Sequence, residues 1–370
     1  MIAALFWTAA ALIVYTHLGY PILLWALVRL RRRPPPPAPW AELPSVSLVI
    51  AAYDEEEVIA AKVAEATQLE YPRERLEVIV ASDGSQDATV ARAAGADLVL
   101  DLPRAGKLAA QNAAAEQARG EVLAFSDANS AWERSALLRL VEPFADPSVG
   151  YVCGRVRFTE GEDNLEGAYW RYEMAVRELE SALGGVTGGN GAIYAVRSAS
   201  YLPLPASASH DLSLPFELAR RGSRSLYAAD ARASEKMVPT LEGEFARKRR
   251  MMVGLWDIVV GERMLSPRGY PPLFAFQLAS HRALRYLTPF LHLVVLVANL
   301  ALLGEGWVYT LTLLAQGGLL LAAAAASFLP LAPLRAARYY VLVTASVAAG
   351  LWDRFRHGPP GAWEKAEGTR

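Results

Sequence analysis

SLVIAAYDEEE, residues 47–57, is an apolar run that ends in a cluster of carboxylates, and two later stretches repeat the form: EVIVASDGS at 77–85 and EVLAFSDANS at 121–130. Short apolar runs bounded by polar turns predict strands buried on both faces, the kind that belong to a parallel sheet covered by helices. Strands are expected at 46–51, 76–81 and 122–125, with helices over 55–68, 88–93 and 107–118 between them. That alternation makes the strands parallel and the fold class α/β, in one large domain over residues 45–265. Such sheets bind ligands beyond the carboxyl ends of their strands. Tyr53, Asp54, Asp83 and Asp127 should therefore converge.

Composition places this domain beside a membrane. Hydrophobic residues make up 53% of the 370, yet 20% are charged, a mixture that suits a soluble domain flanked by membrane segments. The formal net charge of -1 gives no field to attract nucleic acid, and no nucleic-acid partner is expected. Cys153 is the single cysteine, which excludes an internal disulfide and fits a reducing compartment, and it reads as a buried small hydrophobe on the strand at 149–158. Residues 1–30 predict a transmembrane helix, uncharged as far as Arg29 and long enough for a hydrocarbon core of ~30 Å. Arg29, Arg31, Arg32 and Arg33 follow it, so the basic side and the α/β domain should be cytoplasmic and the N-terminus external. The linker at 31–44 contains the run Pro34 to Pro37, a stiff spacer.

Residues 266–284 mix aromatics with His281 and Arg282 and predict an interfacial helix. A bundle at 285–352 follows, with uncharged runs at 286–304 and 306–334 parted by Glu305, an expected external hairpin. The run at 339–352 has arginines on both sides, so it either crosses or re-enters. The tail is 353–370. The expected location is the cell (inner) membrane, multi-pass, with membrane lipids as partners.

The carboxylates Asp54, Glu55 and Glu56 either bind a base or ribose or cap the next helix, whose dipole favours negative charge. Asp83-Gly84-Ser85 is a common turn whose position gives it weight. Lys107, after Gly106 at a predicted helix start, could meet a diphosphate beside the helix N–H groups, or be a solvated surface lysine. In Asp127-Ala128-Asn129, alternate side chains of an extended segment point the same way, so two oxygen groups can approach one hard cation; an Asx turn is the other reading.

These residues resemble the membrane-bound, inverting family-2 glycosyltransferases of the GT-A fold, which include cellulose, hyaluronan and poly-N-acetylglucosamine synthases. The resemblance implies a nucleotide-sugar donor, most simply a UDP-sugar, contacted by Ala51, Tyr53, Asp54, Glu56, Asp83 and Lys107. It also implies a divalent cation, Mg²⁺ or Mn²⁺, at Asp127 and Asn129, with Asn129 in place of the last acid of a D-x-D motif. Thr187-Gly188-Gly189-Asn190-Gly191-Ala192 is similar to the family's acceptor-side loop, where glycines permit close backbone approach; a plain turn is its other reading. In Ser209-His210-Asp211-Leu212, Asp211 matches the general base and His210 replaces a preceding acid. Arg247-Lys248-Arg249-Arg250-Met251 stands where polymerising members carry Q-x-x-R-W. Arg250 matches and would clamp the diphosphate, Met251 replaces the tryptophan, and binding of anionic headgroups is the alternative for this cluster. The tail 363–370 resembles a W-G-T-R element of hyaluronan synthases.

The expected activity is transfer of a sugar, with inversion, to a growing polysaccharide or lipid-linked acceptor. An inverting transfer needs one carboxylate to take the acceptor hydroxyl's proton, the role expected of Asp211. Single-sugar transfer to a polyprenyl phosphate and a non-catalytic nucleotide or sugar sensor are the alternatives. A dinucleotide oxidoreductase is disfavoured, since no G-x-G-x-x-G follows the first strand.

Overall fold

The computed structural model of the chain describes residues 1–31, 38–158, 165–205, 208–236, 241–329 and 331–358. The proline spacer, the last two arginines of the first basic cluster and the tail element at 363–370 lie outside them. At the N-terminus, α1 (Ile2–Val14) runs through a π-helical turn at Tyr15–Gly19 into α2 (Tyr20–Leu30) as one apolar helix of 29 residues.

The α/β domain follows. Its first half is β1 (Val46–Ala52), α3 (Ile59–Thr67), β2 (Leu76–Asp83), the short α4 (Thr89–Arg92), β3 (Leu98–Leu102), α5 (Lys107–Gln117) and β4 (Val122–Asp127). The second is β5 (Ala131–Trp132), α6 (Ala136–Val141), β6 (Val149–Phe158), α7 (Leu165–Leu183), β7 (Ile193–Arg197), α8 (His210–Arg220) and β8 (Arg224–Glu235). Among the described residues these strands form one sheet in the order β3-β2-β1-β4-β7-β6-β8-β5. The first four are parallel, as the alternating pattern predicts for β1, β2 and β4, with β3 a strand the sequence reading does not include, whereas β7 runs antiparallel to β4 and β6 and makes the sheet mixed.

All of β1 is buried, and its side chains divide between two cores. Val46, Leu48, Ile50 and Ala52 pack with Ile59 and Val63 of α3 and Leu137 and Leu140 of α6. Val49 turns the other way, to the core that holds Leu108 of α5, Phe125, Tyr194 and Leu214 of α8. An extended chain alternates faces, so a strand covered by helices on both sides must be apolar at every position. The register sets Ala51 opposite both Ala81 and Asp127, which levels the carboxyl ends of β1, β2 and β4. Three boundaries differ by two residues or more from the sequence reading. Asp83 and Asp127 are the last residues of their strands, and α3 starts at Ile59 because residues 53–58 form a loop bonded to the turn after β2.

Beyond the sheet come α9 (Leu241–Gly261), α10 (Pro272–Gln277), α11 (Leu284–Ala301), α12 (Trp307–Ala325) and α13 (Ala332–His357). A π-helical turn at Leu278–Ala283 joins α10 to α11, so the segment read as an interfacial helix continues without a break into the apolar run after it. Among the described residues three helices are long and apolar enough to cross a membrane: Ile2–Leu30, Pro272–Ala301 and Trp307–Ala325. Phe6 and Ala9 of α1 pack on Val295 and Ala298 of α11. The buried amide of Asn299 donates to Gln316 Oε1 at 3.1 Å and accepts from Thr312 Oγ1 at 2.9 Å, which satisfies a polar group inside an apolar bundle.

Candidate active site

The loops at the carboxyl ends of β1 and β2 are bonded to each other. Asp54 sits in the left-handed region at φ 48°, a conformation that aspartate tolerates better than most residues. Its carboxylate accepts from the amide of Gln86 at 2.8 Å, and its own amide donates to Ser85 Oγ at 3.0 Å. Glu56 accepts from the amide of Ala88 at 3.2 Å. Asp83, 1% exposed, accepts from the amides of Ala105 at 2.7 Å and Gly106 at 2.9 Å and pairs with Arg104 at 2.5 Å. It thereby fixes the loop that leads to Lys107. The Arg104 guanidinium in turn stacks over the Tyr53 ring at 3.4 Å, a cation–π contact at the rim.

Lys107, in the first turn of α5, reaches back to the end of β4 and pairs with Asp127. Burial opposes its charge, yet the Asp127 carboxylate, helped by Asp211 and Glu235, holds its pKa above the ordinary value. One ammonium is therefore within electrostatic reach of three carboxylates from β4, α8 and β8. The Asp127 turn rests on a second lysine. Lys62, 4% exposed in the apolar stripe of α3, donates to the Ser130 carbonyl at 2.5 Å and to Glu65 at 2.8 Å. Burial drives its pKa down against the pull of Glu65, Asp127 and Glu235.

Among the described residues no group of three His, Cys, Asp or Glu side chains gathers to hold a metal. The donor set at the end of β4 still fits a hard cation. Asp127 is 27% exposed and already holds the positive charge of Lys107, Asn129 adds a side-chain carbonyl two residues on, and Mg²⁺-type ions characteristically take one or two carboxylates with substrate phosphates supplying the rest.

Asp211 lies in the first turn of α8, whose N-cap is Ser209, so it is not the capping residue. Its backbone carbonyl accepts from the Gly189 amide at 2.6 Å, which fastens the glycine loop to the start of α8. A Cβ on Gly191 would contact the Lys107 ammonium at 3.6 Å, so this loop borders the same space. At Gly188 a Cβ would overlap the Arg282 guanidinium, and at Gly189 the Tyr151 hydroxyl. Close approach of these two side chains explains the two glycines. Asn190 is spent on the loop itself: its amide donates to the Gly154 carbonyl at 2.6 Å and accepts from the Ile193 amide at 3.0 Å. His210 points away from the opening. It is 3% exposed, its Nδ1 lies 2.7 Å from the Tyr194 hydroxyl, and burial, with Lys107 second, takes its pKa down to about 3.

The structure thus gathers Asp127, Lys107, Asp211 and the glycine loop, with Asp54, Glu56 and Asp83 on the adjoining strand ends. Ala51, 2% exposed, contributes backbone within the ladder. Asn129 follows β4 in the turn before β5. Arg250 is exposed on α9, and its neighbour Arg249 makes a two-pronged pair with Asp353 of α13. Lys62, Arg104 and Glu235 were not singled out from sequence. A lysine in the stripe Ile59, Lys62, Val63, Ala66 of a predicted helix was a signal for the first. No local signal marks Glu235, which arrives through the pairing of β8 with β5.

Residues 47–201 match the sequence profile described as Glycosyl transferase family 2. The chain is 34% identical over 124 residues to glycosyltransferase AglE of Haloferax volcanii, covering 32% of this chain and 41% of that protein. It is 32% identical over 157 residues to the beta-monoglucosyldiacylglycerol synthase of Trichormus variabilis, covering 39% and 34%. The chain therefore spans about two fifths or less of the length of these curated relatives. Among solved structures, the mannosyltransferase PcManGT from Pyrobaculum calidifontis, in complex with GDP-Man and Mn2+, superimposes with a TM-score of 0.73 at 24% identity over 96% of this chain and 99% of that one. That likeness establishes the fold, which is the GT-A fold with its mixed, Rossmann-like sheet.

Proposed function

From the family-2 glycosyltransferase domain that this chain carries, we infer a membrane-anchored enzyme that moves a sugar from a nucleotide diphosphate donor, with inversion, to a growing polysaccharide or a lipid-linked acceptor. The observation that carries this reading is the meeting of Asp127, Lys107 and Asp211 at the carboxyl edge of the sheet, against a glycine loop. The donor's base and ribose lie along Tyr53, Asp54, Glu56 and Asp83, and its diphosphate beside Lys107. Asp127 and Asn129 would hold the divalent cation, which when bound spreads the charge of the leaving diphosphate. Asp211 takes the proton of the acceptor hydroxyl as that oxygen attacks the anomeric carbon from the opposite face. Lys107 guards the reaction's charge balance, because an ammonium held charged by its neighbours can pass from Asp127 to phosphate oxygens without a change of protonation. UDP- and GDP-sugars are both candidate donors, the latter being the ligand of the mannosyltransferase superimposed above.

Transfer of a single sugar to a polyprenyl phosphate is the second reading, and Met251 favours it. This residue is 52% exposed where polymerising members carry a tryptophan that stacks on the growing glycan. The test is release of nucleoside diphosphate by the full-length protein in detergent, offered a panel of nucleotide sugars with membrane lipids and Mn²⁺. Lipid-dependent release with at least one donor is expected, and product length separates the two readings. No release with any donor, from protein that binds nucleotide, would count against transfer and favour a sensor.

A further inference from the structure

Arg177 is a buried charge with no acid beside it among the described residues. It lies on the inner face of α7, 5% exposed, and among the described residues its contacts are the Met174 sulfur at 3.9 Å and the face of the Tyr227 ring at 6.0 Å. No carboxylate of the described residues stands within ion-pair distance of it. The two acids on the same helical face are committed elsewhere. Glu173 pairs with Arg285, while Glu180 accepts from the Tyr20 hydroxyl at 2.7 Å, the Thr187 amide at 3.1 Å and His281 Nδ1 at 2.8 Å. Burying an unpaired guanidinium is costly and persists only where something returns the cost. The Tyr151 hydroxyl, fully buried against Gly189, also has no hydrogen-bond partner among the described residues.

A second guanidinium reaches the same place from the apolar helices. Arg282 lies against Gly188 and donates through Nε to Thr187 Oγ1 at 3.2 Å. The Tyr227 ring that Arg177 faces is the register partner of Cys153, two residues along β6 from Tyr151, and the charges of Arg177, Asp211 and Arg282 all act on the Cys153 thiol. Two cations and a spare hydroxyl thus lie near the glycine loop that the Asp211 carbonyl fastens to α8.

We propose that Arg177, Arg282 and the Tyr151 hydroxyl form a phosphate-binding subsite beneath the glycine loop, which takes a phosphate group carried by the acceptor. This deepens, and rests on, the transferase reading. Phosphate fits better than a carboxylate because two guanidinium forks can spread over a tetrahedral group with up to two negative charges. Arg282 belongs to the helix Pro272–Ala301, one of the three able to cross a membrane, so a phosphate on a lipid would enter from the bilayer surface.

The test uses full-length protein in neutral detergent, its donor site filled with UDP or GDP and Mg²⁺, titrated calorimetrically with dodecyl phosphate and with inorganic phosphate. Binding of dodecyl phosphate is expected, weakened about tenfold or more by Arg177→Met and by Arg282→Gln, since each removes charged hydrogen bonds. Tighter binding of the dodecyl ester than of the free ion assigns the subsite to a lipid-carried phosphate, and equal binding assigns it to free phosphate. Arg177→Met should also melt no lower than the wild type without phosphate, whereas a structural arginine would destabilise when removed. Failure of both phosphates to bind, or unchanged binding in either variant, overturns the proposal. If Arg177→Met does not fold, Arg282→Gln decides. Nucleotide affinity, read in the same titrations, should be unchanged by both substitutions; its absence from the wild type would instead sink the transferase reading.

Discussion

Gly189 and Tyr151 touch where the glycine loop meets the sheet, and a methyl at residue 189 has nowhere to go because the Tyr151 ring is fully buried. Gly189→Ala should cost about 1–3 kcal/mol by overpacking. Tyr151→Phe in the same chain should recover part of that loss, and a double-mutant cycle by urea unfolding reads the coupling. Additive losses would mean that the two residues do not collide. His210 offers a pH test. Burial and Lys107 lower its pKa from 6.5 to about 3, so the folded chain refuses a proton that the unfolded chain accepts. Its contribution leaves stability intact above pH 6.5 and erodes it as the pH falls toward 3, by at most about 1.4 kcal/mol per pH unit. His210→Gln, which can still bond Tyr194, should lose less stability than the wild type below pH 6.5; parallel losses would contradict this. At this scale the sequence showed that acids follow β1, β2 and β4, because an acid after an apolar run is a local pattern. What Lys62, Arg177 and Glu235 meet on other elements was hidden, because Ser130, Tyr227 and Lys107 lie far away in the chain.

The elements were legible where periodicity was strict. β1, β2 and β4 follow from apolar runs that admit one reading, whereas the short β3 is absent from the sequence reading and β7 and β8 depend on which strand they pair with, a long-range choice. The run at 339–352 shows a different limit. Apolar residues there belong to α13, a 26-residue helix that is packed along α9 and is not among the three helices apolar enough to cross a membrane. Trp256 Nε1 donates to the Val347 carbonyl at 3.0 Å, Arg354 pairs with Asp257 at 2.6 Å, and a Cβ on Gly350 would overlap Met252. Helix backbones that approach this closely need a glycine at the crossing. Gly350→Leu should therefore lower stability by about 1–3 kcal/mol while leaving nucleotide affinity unchanged. Unaltered melting would show that α13 is only loosely held.

For the whole molecule, the α/β domain and the apolar helices share one buried network, since Glu180 is bonded at once to Tyr20 of the N-terminal helix, to Thr187 of the glycine loop and to His281 before α11. We propose a topology in which the α/β domain is cytoplasmic and the turn between α11 and α12 is external. A cysteine placed at Glu305 should react with an impermeant reagent in intact cells, and a reporter within residues 45–265 should not; labelling at Glu305 only after permeabilisation would reverse the assignment. The central claim is that one site binds the donor and that Asp211 activates the acceptor there. Asp211→Asn keeps the shape and cannot take a proton, and the N-cap position of α8 is held by Ser209, so the substitution leaves that position unchanged. The decisive measurement is nucleotide-sugar affinity by calorimetry alongside turnover on the same preparation of this variant. Affinity close to wild type with turnover lowered roughly 10²–10⁴-fold is the expected result, and near-normal turnover would remove the base from the mechanism.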